Sequence, residues 1–247
     1  MLKRLLLITA FILPGGAAMA QDAGFPLQHA DTNINDIQSL QRGARDFMNY
    51  CSGCHSLQYL RYNRVAKDLR IPPATMASDL MFTSHKPFDH IVSAMPAADA
   101  VTWFGKQPPD LTLESRYQSV DFIYSFLKGF YADKTRVWGV NNLYFPNVGM
   151  PFVLAPLAGV QKPVYKSVTD SSGQAHLELI GVAPMSPGSM TPAQYDRFVR
   201  DIANFLDYTA EPIKAQRESM GIFVTLFLLV FFAFAYLLKK EYWKDVH

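Results

Sequence analysis

The chain has 247 residues, enough for one or two domains, and 49% of them are hydrophobic. It carries 23 Lys and Arg against 21 Asp and Glu. Removing Lys3 and Arg4 with the leader described next leaves the two signs balanced, which argues against a nucleic-acid partner.

Residues 1–20, MLKRLLLITAFILPGGAAMA, read as a cleaved secretory signal peptide. Lys3 and Arg4 form its basic region, residues 5–13 its apolar core, and Ala18, Met19 and Ala20 an A-x-A cleavage site. The apolar core is too short for a membrane span. The mature chain then starts at Gln21.

A helix is predicted next. Asn35 followed by Gln38 resembles a capping box, and Ile37, Leu40, Ala44, Phe47 and Met48 recur at helical spacing. The helix runs into FMNYCSGCHSLQYL (residues 47–60), which holds both cysteines of the chain, Cys51 and Cys54, with His55 beside them. A disulfide there closes a tiny loop and stabilises little. A thioredoxin-like site needs a βαβ context, which this region lacks. A zinc site needs further Cys or His ligands at suitable spacing, and none follow. C-x-x-C-H is the attachment signal of c-type haem. Two thiols three residues apart share one face of a turn, where they can add to the two vinyl groups along one porphyrin edge. His55 then falls beneath the iron as proximal ligand.

The other axial position separates small-molecule binding from electron transfer. His29, His85, His90, His176 and His247 lie in terminal or polar contexts typical of surface histidines. Met95 (SAMPA), Met150 (NVGMPFV) and Met185 (APMSP) sit beside proline in loop-like contexts. Glycine admits close approach to a haem face, so Gly149 and Pro151 make Met150 the best fit by spacing, with Met95 and Met185 as rivals.

Residues 82–109 hold several prolines and no sustained period, and read as loops with short helical pieces. Phe122, Ile123, Phe126 and Leu127 predict a helix within residues 119–130. VYKSVTDSSGQAHLELI (residues 164–180) reads as a small β-hairpin around TDSSG. A strong helix starts at Thr191, its N-cap, with Pro192 at N1 and Gln194 completing a capping box. Its stripe of Tyr195, Phe198, Val199, Ile202, Phe205 and Leu206 is expected to cross the helix that bears the cysteines. Glu211 and Pro212 end it.

GIFVTLFLLVFFAFAYLL (residues 221–238) holds no charge. At 1.5 Å per residue it spans about 27 Å, close to the hydrocarbon core of a bilayer. Lys239, Lys240, Tyr242, Trp243 and Lys244 follow as interfacial anchors. Together with the leader this predicts an exported domain at 21–215, a membrane anchor at 216–240 and a cytoplasmic tail at 241–247.

With these pieces in order, the chain resembles the cytochrome c1 family, the haem subunits of the bacterial and mitochondrial cytochrome bc1 complex (ubiquinol–cytochrome c oxidoreductase). The likeness covers nearly the whole mature sequence. It rests on CSGCH, QPPDLTLESR (107–116), DFIYSFLKGFY (121–131), NLYFPNVGMP (142–151) and YTAEP (208–212) ahead of a single C-terminal membrane helix. It implies a mainly α, cytochrome c-like haem domain with long loop insertions, a small β-hairpin and one transmembrane helix. One haem c would be bound covalently by Cys51 and Cys54, with iron ligated by His55 and Met150. Arg116 would lie near a haem propionate. Pro109 would line the proximal side, its carbonyl holding the His55 N–H.

The same resemblance implies a bacterial inner-membrane location with the haem domain in the periplasm, in contact with membrane lipid. Its partners would be a cytochrome b subunit, a Rieske iron–sulfur protein as donor and a periplasmic cytochrome c as acceptor, in a dimeric complex. No bond is made or broken on such a subunit. Mitochondrial members carry acidic runs, whereas Asp79, Asp89 and Asp99 are scattered here, so strong steering of a basic acceptor is not expected. The competing reading is a membrane-anchored c-type electron carrier outside the bc1 complex.

Overall fold

The computed structural model describes residues 24–169 and 174–245. The expected signal peptide, His247 and the tip of the expected hairpin lie outside the described residues. Among the described residues there are nine helices and three two-stranded antiparallel sheets, and 46% is helical. The expected α character therefore holds in coarse outline, with more strand than the sequence reading allowed.

The chain opens with α1 (Ile37–Tyr50), β1 (Leu57–Arg61), α2 (Tyr62–Asp68) and α3 (Pro73–Asp79). The irregular stretch that follows holds β2 (His90–Ile91) and α4 (Ala97–Phe104), then α5 (Glu114–Tyr117) and α6 (Val120–Lys128). Next come β3 (Phe130–Ala132), β4 (Val140–Asn142), α7 (Ala155–Ala158) and the long pair β5 (Gly159–Thr169) and β6 (Ala175–Pro187). The chain ends in α8 (Pro192–Ala210) and α9 (Lys214–Tyr242).

The core is the packing of α1 on α8. Leu40, Ala44, Phe47 and Met48 meet Phe198, Val199, Ile202, Phe205 and Leu206, all buried. The Phe47 and Phe205 rings lie 5.8 Å apart, and Tyr50 meets Phe198 edge-on at 5.4 Å. A polar network locks the crossing. Buried Asp201 accepts from Ser39 Oγ (2.6 Å), Arg42 Nε (2.6 Å) and Arg42 Nη2 (3.0 Å), and Asn204 Nδ2 donates to Ser39 Oγ (3.0 Å). Removing one partner from such a pair strands the other charge, so the network fixes how the helices register.

Close approach of the helices depends on Gly43. A Cβ there would stand 2.0 Å from Asp201 O and 2.7 Å from Phe205 Cβ. Gly43→Ala gains up to about 1 kcal/mol of helix propensity. Forcing backbone apart in a packed core costs about 1–3 kcal/mol or more, and the clash wins. Thermal unfolding of the detergent-solubilised variant should therefore show a lower midpoint; an unchanged or raised midpoint would contradict this packing.

The caps show which local readings hold. Thr191 caps α8 with the full reciprocal box to Gln194, as expected. At α1 the cap is Asp36, whose side chain accepts from Ser39 N (3.0 Å), not Asn35. Asn35 is drawn one step outside the helix because its N–H donates to Asn33 Oδ1 (2.9 Å).

The hairpin also differs from expectation. It is 11 and 13 residues per strand and runs well beyond 164–180. Two bulges, between Val160 and Gln161 and between Val164 and Tyr165, absorb irregularities that look like breaks in the sequence. Met185 is the extra residue opposite the first bulge, half exposed in a strand and not in a loop.

α9 is a 29-residue helix and the one candidate membrane span among the described residues, with none of its apolar window buried in the protein. Its first turns are tied to the end of α8 by Lys214 Nζ to Asp207 Oδ2 (2.8 Å) and by Arg217 to Glu211. A chain stopped after Ser219 keeps both ion pairs and loses the apolar run. It should leave the membrane fraction as a folded domain; retention after a salt wash would mean that other contacts hold it there.

Candidate haem-binding site

Cys51 is the C-cap of α1, its N–H donating to Phe47 O (2.8 Å). Its own carbonyl accepts from Cys54 N (3.1 Å) and His55 N (2.8 Å), so one tight turn carries the whole motif. The cysteines are not joined to each other. Burial pushes the Cys51 thiol up to about 12, with the neighbouring Cys54 and Asp46 adding to it. Burial raises Cys54 as well. Thiol–disulfide enzymes need a lowered thiol, and this is the opposite setting.

PPDLT packs directly beside the turn. Asp110 accepts from Gln58 N (2.7 Å) and Thr112 N (2.9 Å), and Leu111 N donates to Ser56 O (2.9 Å). Thr209 Oγ1 on α8 donates to the Thr112 carbonyl (3.1 Å). These bonds set Pro109 O at 2.8 Å from His55 Nδ1. A carbonyl only accepts, so Nδ1 carries the proton and Nε2 keeps its lone pair. Burial also lowers the His55 pKa, against the opposing pull of the Pro109 carbonyl and Asp110, and favours the neutral ring. A neutral imidazole with Nδ1 satisfied is the form a metal ligand takes.

The NLYFPNVGMP loop is held at its base by two asparagines. Asn142 Nδ2 donates to Phe126 O (2.7 Å) while its Oδ1 accepts from Tyr144 N (2.9 Å); Asn141 Oδ1 accepts from Asn147 N (2.8 Å). Beyond Met150, Phe152 stacks on Phe130 with centroids 4.7 Å apart. A Cβ on Gly149 would meet protein no closer than Phe104 O at 3.7 Å, so the chain itself does not demand glycine there. Gly149 itself borders an open space beside the motif turn.

The open space is a cleft of two lobes, about 170 and 80 Å³, that share six lining residues. Cys51, His55, Pro109 and Met150 border both lobes, and Cys54 borders the smaller one. The α6 residues Phe122, Ile123, Phe126 and Leu127 form the inner wall, which explains the apolar stripe of that helix. Met95 and Met185 do not border either lobe. Arg116 is exposed on α5 and does not line the cleft, whereas its neighbours Glu114 and Gln118 do. Lys106, Glu114 and Gln118 are cleft residues that sequence reasoning missed, and no local pattern marks them.

Two potential thioether donors, an imidazole with a free Nε2 and a thioether sulfur around one apolar cleft suit haem c. The site is that of a covalently loaded electron carrier, not of a thiol enzyme. The match to family models makes this specific. The Cytochrome C1 family model matches residues 29–161 and 184–246, leaving out only the outer part of the β5–β6 hairpin in between. The chain belongs to the cytochrome c1 family, whose members carry covalent haem c and are the electron-transfer subunit of the bc1 complex.

A cytochrome c1 from Allochromatium vinosum is 49% identical over 246 residues, covering 100% of both chains. A protein from Nitrosomonas europaea named ammonia monooxygenase gamma subunit is 38% identical, covering 100% of this chain and 99% of its own. A cytochrome c1 from Rhodospirillum rubrum is 29% identical, covering 99% of this chain and 97% of its own.

Proposed function

We propose that this chain relays single electrons from a Rieske iron–sulfur protein to a periplasmic cytochrome c; Cys51 and Cys54 would anchor haem c through thioethers, and His55 and Met150 would hold its iron. The observation that carries the reading is the convergence of all four side chains on one cleft with His55 Nδ1 bonded to Pro109 O. Bound there, haem supplies a one-electron ferric/ferrous couple.

The protein does the rest. The Pro109 carbonyl holds the His55 tautomer and orients its ring. The Met150 thioether would favour the ferrous state and a high potential. The inner wall of Phe122, Phe126 and Leu206 excludes water from one side. Cys54, Phe104, Pro108 and Val153 border the smaller lobe, where the group would lie against the motif turn. No acid or base is required, because no proton moves at a reacting bond.

We further read residues 21–215 as the periplasmic haem domain, 216–240 as the anchor and 241–247 as a cytoplasmic tail, in a dimeric complex with cytochrome b. Mild detergent extraction followed by affinity isolation tests the assignment. Retention of a cytochrome b and a Rieske protein is the expected result. Isolation of this chain without either would favour an independent membrane-anchored carrier.

A further inference from the structure

Haem brings two propionate carboxylates into whatever cleft holds it. A carboxylate against an apolar wall is costly unless a cation or donors meet it. Among the described residues bordering either lobe, Lys106 and Glu114 alone bear formal charge, and Glu114 has the sign of the propionate. Lys106 borders both lobes.

Its position is built by the fold. Gly105, with φ of 76°, closes α4 in the left-handed conformation and turns the chain back toward the cleft. The Lys106 Cε then lies 3.9 Å from where a Cβ on Gly149 would stand. The ammonium rests over the Phe145 ring, 5.6 Å from its centroid, and forms no ion pair with a carboxylate among the described residues. Both Lys106 and Arg116 are exposed, but Arg116 borders neither lobe and contributes to holding the Glu211 carboxyl low, behind the direct hydrogen bond from Arg217.

We infer that Lys106 is the cation that positions and neutralises a haem propionate in this chain, a role that the sequence resemblance gives to Arg116. The inference rests on the haem reading above. A positive charge at the propionate favours the ferrous state, because that state has one less positive charge at iron.

The test uses the full-length, haem-loaded protein in detergent. Redox titration and resonance Raman spectra are compared for wild type, Lys106→Gln, Lys106→Arg and Arg116→Gln. Lys106→Gln should disfavour the ferrous state about fivefold, which is ~40 mV at 59 mV per tenfold, and should shift the propionate bending band. Lys106→Arg should restore both, and Arg116→Gln should move neither. An unchanged potential and band in Lys106→Gln overturns the inference, as does movement of both in Arg116→Gln alone. Should Lys106→Gln not mature, Lys106→Arg decides: wild-type potential and band support the inference, and loss of both overturns it. Absence of covalent haem from wild type would overturn the functional reading itself, which staining of the denatured chain detects separately.

Discussion

Met150→Leu lowers the midpoint potential by more than about 100 mV while covalent haem remains. Axial ligands command a range of about 0.8 V, and thioether sulfur stabilises ferrous iron, so removing it shifts the couple toward ferric. At 59 mV per tenfold, 100 mV is about fiftyfold in the equilibrium constant. Reduction by the Rieske centre then runs uphill, and quinol–cytochrome c turnover stops. The loop itself should survive, because Asn141, Asn142 and the Phe130–Phe152 stack hold it without help from the Met150 side chain. The oxidised variant should lose the near-infrared methionine-to-iron band, and the reduced variant should bind carbon monoxide. Met95→Leu and Met185→Leu should change neither, since neither residue borders the cleft. Retention of the band in Met150→Leu, with loss in either rival, would reassign the ligand.

The second large effect is at the cysteines. Replacing both Cys51 and Cys54 with Ala abolishes haem staining of the chain on denaturing gels, since each thiol supplies one thioether. Wild-type protein, fully denatured, should show no thiol reactive toward an alkylating reagent. Each single variant should keep at most one attachment and lose much of its haem during maturation. Both thiols are raised by burial in the structure, so any that escape attachment would react slowly while folded and readily once unfolded. Reactive thiols in denatured wild type, with no stained band, would remove the haem reading altogether.

Where the sequence was legible, the signal was local. The Thr191–Gln194 box starts α8 within one turn, and the uncharged run at 221–238 lies within α9 whatever surrounds it. The motif turn and the stripes of α1 and α8 are likewise short-range patterns. Adjacent cap formers were not resolvable: Asn35 and Asp36 are both good caps, and only the bond from Asn35 N to Asn33 Oδ1 decides between them. Gly159, Pro163, Gly181 and Pro184 break strands in most contexts, yet all four lie within β5 and β6. In a two-stranded ribbon every strand has an open edge, and bulges tolerate such residues.

Long-range placement was the main thing hidden. Arg42 meets Asp201 across 159 positions, and nothing near either residue announces it. Lys106 is exposed in a GKQ turn, and only the folding of the Met150 loop against α4 brings it to the cleft. Asp110 is visible in PPDLT as a turn former, but its bond to Gln58 N, which seats Pro109 beside His55, depends on the tertiary fold.

Quinol-driven reduction of this chain's haem in isolated membranes tests the central claim most directly. The absorbance of ferrous haem c is followed after quinol is added, with the Rieske subunit present and with it removed. Rapid reduction that disappears without the Rieske protein, and that Met150→Leu also blocks, is the predicted result. Reduction at the same rate without the Rieske protein would contradict the account and place the chain on another electron route.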